Sequence, residues 1–365
     1  MANVTENANL CGLKREDFQT TINGKKTDLY ILRNRKGFEV AITNYGGAIC
    51  SIMVPDKNGN VGNVIQGYAN IQQLINAPEP FLSTLIGRWG NRICRGQFTL
   101  NGKDYQLAIN NGVNHLHGGP TGFHTRVWDA RQMGPRSLAL HRISSYGEEG
   151  YTGEVDVTVE FTWSDDNELI IEYLASTNKK TIINLTHHAF FSLAGTADPT
   201  PTIDEQILEI NGDFYLPTDE TAIPTGEILK VEGTPFDFRA PKPIGQDIDA
   251  DHEQIKFGNG YDHNYILNKR EEGELSFAAR VTDPKSGRTL ECYTTEPGVQ
   301  LYTGNYLTGD YKAVGGATFP RRSAVCLECQ HFPDSPNRPY FPSVVLNPHH
   351  RYKQKTVYRF GITGV

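Results

Sequence analysis

The segment VCLECQHF (residues 325–332) sets two thiols at CxxC spacing, a carboxylate between them and a histidine two residues on. Those types and spacings admit three chemistries: half of a metal site, a redox pair, or a strand that carries one working acid. In an extended chain, residues three apart point to opposite faces. Cys326, Glu328 and Gln330 then share one face, and Val325, Leu327, Cys329 and His331 share the other. A CxxC metal or redox site needs both sulfurs to converge, which takes a turn or a helix start. No glycine or proline inside the segment makes that turn, and the chain has no second CxxC. Both cysteines therefore read as small packing residues. Glu328 remains as the group of interest, because a carboxylate in a strand flanked by apolar residues is costly unless it is paired or lines a cleft. A structural ion pair and a cleft acid both meet that condition.

The same periodicity sorts the two histidines of NLTHHAFF (184–191). Asn184, Thr186, His188 and Phe190 fall on one face, which is polar and suits a site; Ile183, Leu185, His187, Ala189 and Phe191 fall on the other, which reads as core. His188 is thus the functional candidate and His187 a satisfied structural histidine. The Gly-rich loop NGVNHLHGGPTGFHTRVW holds His115, His117 and His124, with glycines that let backbone approach a ligand closely. A metal reading of these three lacks a carboxylate or thiol nearby in the sequence. In GRWGNRI, Asn91 and Arg92 form a donor pair beside the Trp89 ring, with a loop arginine in an ordinary salt bridge as the plainer alternative.

The elements that position these groups read as strands. Asn-Gly recurs at 23–24, 58–59, 101–102, 111–112, 211–212 and 259–260, a dipeptide suited to the positive φ of tight hairpins. In EVDVTVEFTW, Val155, Val157, Val159, Phe161 and Trp163 share one face; after the turn at Asp165-Asp166-Asn167, the alternation resumes with Leu169, Ile171 and Tyr173. DLYILRN, FEVAITNYG, residues 48–54, TIINLTHHAFFSL, LECYTTEPGVQLYTGN and SAVCLECQHF are further strands. The one helical signal, YANIQQLIN, covers about two turns. Pro and Gly in 197–245 predict long loops and edge strands. No repeat, low-complexity tract or polar linker marks a boundary within the 365 residues. The expected fold class is all-β, one large antiparallel β-sandwich with few short helices.

Bulk properties narrow the function. Hydrophobic residues at 38% and charged ones at 21% describe a globular chain with material for a sizeable core. A net charge of -7 argues against general affinity for nucleic acid or anionic membrane. No apolar run reaches 18 residues, so no membrane-spanning helix is expected. MANVTENANL lacks the basic start and apolar core of a secretory signal, which predicts a cytoplasmic protein, with export by a leader absent from this sequence left open. Six sparse cysteines predict free thiols in a reducing compartment rather than a disulfide scaffold.

Taken together and in order, LIGRWGNRI, NHLHGG, NLTHHAFFSLAG, GYDHNYIL, GVQLYTGN and CLECQHFPD are similar to the motifs of the aldose 1-epimerase (galactose mutarotase) family. The resemblance runs from Phe18 to the C-terminus, which makes 1–17 an N-terminal extension and 18–365 the domain. It implies a galactose mutarotase-like sandwich with an open cleft, no metal and no cofactor, acting on free monosaccharides such as glucose and galactose to interconvert their α and β anomers. Position by position, it implies Glu328 as general base, His188 as general acid and His117 as a second histidine near the ring oxygen. Asn91, Arg92, Asp262 and Gln300 match residues that bind sugar hydroxyls. The family commonly has Ala where Gly90 stands and Asn where His187 stands. The chemistry agrees: opening a hemiacetal removes a proton from the C1 hydroxyl and delivers one to the ring oxygen, work for one base and one acid. The expected partner is a small sugar, with no nucleic acid or membrane, in a monomer or homodimer. Three alternatives stand beside this. A glycoside hydrolase would use Glu328 with Asp262. A carbohydrate-binding module would stack sugars on Trp89. A hexose 6-phosphate epimerase would need a basic clamp, at which only Arg321-Arg322 hints.

Overall fold

The computed structural model describes residues 9–363 apart from 200, 311 and 313. Its largest element is a nine-stranded antiparallel sheet that includes the two segments with the strongest alternation, Val155–Trp163 and Glu168–Thr177, as adjacent strands. They pair in register from Val155↔Thr177 to Trp163↔Leu169 around a turn in which Asn167 has a φ of 59°. Their expected apolar face is buried: Val155, Val157, Val159, Phe161, Trp163, Leu169, Ile171 and Tyr173 all join the main core. At one edge lies Lys242–Pro243, where proline is tolerated because no neighbour needs its missing donor. A five-stranded sheet ends in Asp262–Ile266, Gly298–Tyr302 and Cys326–Gln330, and a four-stranded sheet begins at Leu29–Arg33. Leu32, Val40 and Ile52 of the four-stranded sheet and Tyr265, Leu301 and Leu327 of the five-stranded one pack into that same core. This is the all-β sandwich that the alternation predicts.

Several local expectations need revision. LECYTTEPGVQLYTGN is not one strand: Arg288–Thr294 belongs to the nine-stranded sheet and Gly298–Tyr302 to the five-stranded one, so the chain changes sheets at Thr295-Glu296-Pro297. TIINLTHHAFFSL likewise breaks into Thr181–Ile182 and Thr186–His187 plus single bridges. Only Asn23-Gly24 and Asn101-Gly102 are hairpin turns with both residues at positive φ. Asn259, at φ 54°, caps a short helix, Glu253–Gly258, that the periodicity did not announce. The expected helix is present as Ile71–Ile75, capped by the Asn70 side chain on the Gln73 amide. No helix among the described residues is long and apolar enough to cross a membrane.

All six cysteines are free. Cys326 faces a second apolar cluster and Cys329 faces the main core, opposite sides of one strand as the spacing requires. Cys329 Sγ lies 3.4 Å from Cys292 Sγ, not near Cys326.

Candidate active site

Three neighbouring strands lay down a polar row. Glu328 pairs with Gln300 and Gln300 with Asn264, so these side chains stand abreast, with Asp262 two residues along the last strand. The row is wired by amides. Gln330 Nε2 donates to Asn264 Oδ1 (3.1 Å) and to Gln300 Oε1 (3.4 Å), and Gln300 Nε2 donates to Asp262 Oδ1 (2.8 Å). The other Asp262 oxygen faces Arg92 Nη1 at 3.8 Å, and Arg92 Nε donates to Asn111 (3.0 Å).

His188 reaches this row from a different part of the chain. Its amide donates to Thr84 and its carbonyl accepts from Ser83, which fixes the backbone where the strand Thr186–His187 has ended. The ring stacks on Phe190 (centroids 4.7 Å, 16° between planes) and meets Tyr302 edge-on. Nε2 then sits 3.4 Å from Glu328 Oε1. His117 comes from the Gly-rich loop in left-handed backbone (φ 50°) beside the strand pair Leu116↔Arg92. Asn91 N–H donates to its Nδ1 (3.0 Å), and its ring meets His188 edge-on at 5.2 Å. The loop glycines serve the backbone rather than a ligand: a Cβ on Gly118, at φ 81°, would stand 2.0 Å from the Gly87 carbonyl oxygen. The carboxylate that this loop lacked in sequence arrives in space as Glu328.

The remaining histidines go elsewhere. His187 is buried with Nε2 on the Gly47 carbonyl (3.1 Å), off the cleft. His115 binds the Ala108 carbonyl and the Tyr151 hydroxyl. His124 packs against Phe81. Trp89 is a correction: it is fully buried in a satellite core, so it is no stacking platform. Arg322 is paired with Asp249 and Arg321 with Asn259, away from the cleft.

The cleft encloses about 620 Å³ and is lined by Asn91, Arg92, His117, His188, Asp262 and Glu328 among others. Gln300, the seventh expected residue, lies buried behind Asp262 and holds its carboxylate. Reasoning on the sequence passed over Glu79, Phe81, Tyr302 and Tyr306, which also line the cavity. Glu79 sits between two prolines, where neither strand nor helix period marks it.

Burial governs the electrostatics. It pushes Glu328 well above the ordinary carboxylate range, with Asp262 adding to the rise. It pushes His188 down to about 3 and His117 well below its usual value. Each group is thus held toward its neutral form, and Glu328 with His188 shares one proton rather than carrying two charges. Glu328 Oε2 and His188 Nδ1 are buried without a hydrogen-bond partner among the described residues. Such groups call for a polar guest. Ligand atoms of His117, His188 and Glu328 lie within 4.8 Å of one another, the compass of a metal ion. The donor set argues otherwise. Because His117 Nδ1 accepts from Asn91, a neutral ring carries its proton on Nε2 and offers the cleft a donor, not a lone pair.

Against this geometry stand the relatives. The family model described as aldose 1-epimerase matches residues 28–359. The galactose mutarotase of Homo sapiens is 43% identical over 323 residues, covering 88% of this chain and 91% of its own. The aldose 1-epimerase of Escherichia coli is 34% identical over 339 residues, covering 92% and 96%. An aldose epimerase homologue from C. elegans superposes with a TM-score of 0.84 at 29% identity, covering 92% of this chain and 99% of its own. With nearly its whole length matched in sequence and in shape, the chain belongs to the aldose 1-epimerase family.

Proposed function

We propose that this protein is a mutarotase, an isomerase that interconverts the α and β anomers of free aldohexoses such as glucose and galactose. The observation that carries the reading is the meeting of Glu328 and His188 at 3.4 Å, with His117 beside them, in a cleft of about 620 Å³. Glu328 takes the proton of the anomeric hydroxyl while His188 delivers one to the ring oxygen. The C1–O5 bond breaks, rotation about C1–C2 presents the other carbonyl face, and the two groups exchange roles as the ring closes. The raised affinity of Glu328 for a proton makes its carboxylate a stronger base than an exposed one. The lowered affinity of His188 makes its imidazolium a stronger acid. Reactive and resting forms of the dyad hold the same single proton, so no net charge enters the dry site. His117 donates from Nε2 toward the ring oxygen. Arg92 and Asp262 grip sugar hydroxyls, with buried Asn91 beside them and Gln300 fixing Asp262, so that the ring stays put while C1 turns.

Residues 18–365 form the working domain in this reading, with 1–17 an extension. The substrate is a free sugar met in the cytoplasm, with no nucleic acid or membrane partner, by a monomer or homodimer. A hydrolase built on Glu328 and Asp262 is the weaker reading: Glu328 faces a histidine at 3.4 Å, and Asp262 is held by Gln300 and Arg92. Polarimetry of freshly dissolved α-glucose and α-galactose tests the proposal. Faster approach to anomeric equilibrium is expected, without release of aglycone from aryl glycosides. Hydrolysis of those glycosides with no change in anomer exchange would refute it.

A further inference from the structure

The cleft has a lopsided charge. Glu79, Glu220, Asp262 and Glu328 line it, and Arg92 is the one lining lysine or arginine among the described residues. Arg92 is already engaged with Asp262 and Asn111, and the two histidines are held neutral by burial. Four carboxyls against one guanidinium leave three formal negative charges without a partner, or two when Glu328 carries its proton.

Glu79 is the acid best placed to read a substituent. Its Oε1 accepts the Phe81 N–H (3.2 Å), while Oε2 has no hydrogen bond among the described residues. The Phe81 ring lies 4.7 Å from that of His117, so the segment that carries Glu79 borders the histidine end of the cleft. Its charge also contributes to holding Glu328 and the Tyr302 hydroxyl protonated. Although the residue is partly exposed at the rim, its carboxyl is crowded enough to be pushed up to about 7. Such a group gains from a neighbouring cation and loses from a neighbouring anion. Independently, the buried Glu328 Oε2 lacks a partner, so the same end of the cleft wants a donor.

On the mutarotase reading, we propose that the cleft prefers aldoses carrying an ammonium group beside the anomeric carbon over anionic aldoses, with Glu79 as the residue that reads the charge. A 2-amino-2-deoxyhexose carries its nitrogen on C2, two bonds from C1, next to the end of the cleft that Glu79 occupies. There Glu79 and the amine share one proton as an ion pair or as a neutral hydrogen bond, with the same number of protons either way. A uronate or sugar phosphate brings a second anion into a site with no free cation to receive it, and the pair is left poorly solvated.

The test compares 2-amino-2-deoxyglucose, glucose and glucuronate on the full chain, following anomer exchange by NMR and binding by line broadening. In the wild type, kcat/KM for the amino sugar should exceed that for glucuronate by about tenfold or more, and added salt should narrow the gap. Glu79→Gln should lower the ratio of amino sugar to glucose by about tenfold. An unchanged ratio in a folded Glu79→Gln variant would overturn the proposal. So would glucuronate matching the amino sugar in the wild type, a comparison that stands even if the variant fails to fold. Absence of any acceleration for glucose would refute the mutarotase reading itself. Line broadening would still decide the charge preference, because it reads binding without turnover.

Discussion

At the scale of residues, the account turns on two groups that burial drives in opposite directions. Glu328 is held above the carboxylate range and His188 near 3, so both lean to neutrality and one proton serves the pair. Removing the acid should therefore hurt the rate more than the grip on substrate. His188→Asn is expected to lower kcat by on the order of 10²–10⁴-fold with little change in KM, measured by polarimetry. Asp262→Asn should raise KM more than it lowers kcat, because the proposed mechanism gives Asp262 the sugar hydroxyls rather than the reacting bond. An equal loss of kcat in Asp262→Asn would instead favour a second carboxylate in the chemistry. Alternation along SAVCLECQHF and TIINLTHHAFFSL was enough to single out Glu328 from its flanking thiols and His188 from His187. It could not reach Gln330, Gln300 and Asp262 as a relay, because those contacts join residues 30 or more positions apart. Glu79, between two prolines in a loop, left no periodic trace.

At the scale of elements, the strand Cys326–Gln330 works by presenting different neighbours on its two faces. Cys326 fills one apolar cluster and Cys329 another, while Glu328 looks into the cleft. The double variant Cys326→Ser, Cys329→Ser should keep kcat within about threefold while losing stability by ~1–3 kcal/mol per buried hydroxyl. Chemical denaturation and polarimetry on the same sample would check both halves, and loss of turnover in the folded variant would give the thiols a role this account denies them. The hairpin pattern of 155–177 was legible because period two and an intervening turn were both present. The break of LECYTTEPGVQLYTGN was not, since the sheet change at Thr295-Glu296-Pro297 answers to long-range pairing rather than local preference. Trp89 looked available for stacking because it neighbours the Asn91–Arg92 donor pair in sequence; in the fold it is fully buried in a satellite core.

For the whole molecule, burying so many histidines ties stability to pH. His115, His124 and His187 are pushed down to about 4, His188 and His263 to about 3, and His117 lower than its usual range, each by desolvation. Between about pH 6 and 5 an unfolded chain protonates these six and the native one does not, so stability falls as pH falls. Glu328 and Glu79 act the other way, since burial lets the native state hold protons that the unfolded chain has released. Six against two leaves a net loss of up to roughly 5 kcal/mol per pH unit. The urea midpoint should accordingly drop between pH 6 and 5, and a midpoint that rises would mean these histidines are charged in the native fold. The proposed division of labour is tested most directly by anomer exchange in Glu328→Gln. That change removes the base while keeping the shape of the side chain. Two-dimensional exchange NMR on glucose labelled at C1 should show α–β exchange slowed on the order of 10²–10⁴-fold relative to the wild type, with the fold intact. Exchange at the wild-type rate in that variant would contradict the account.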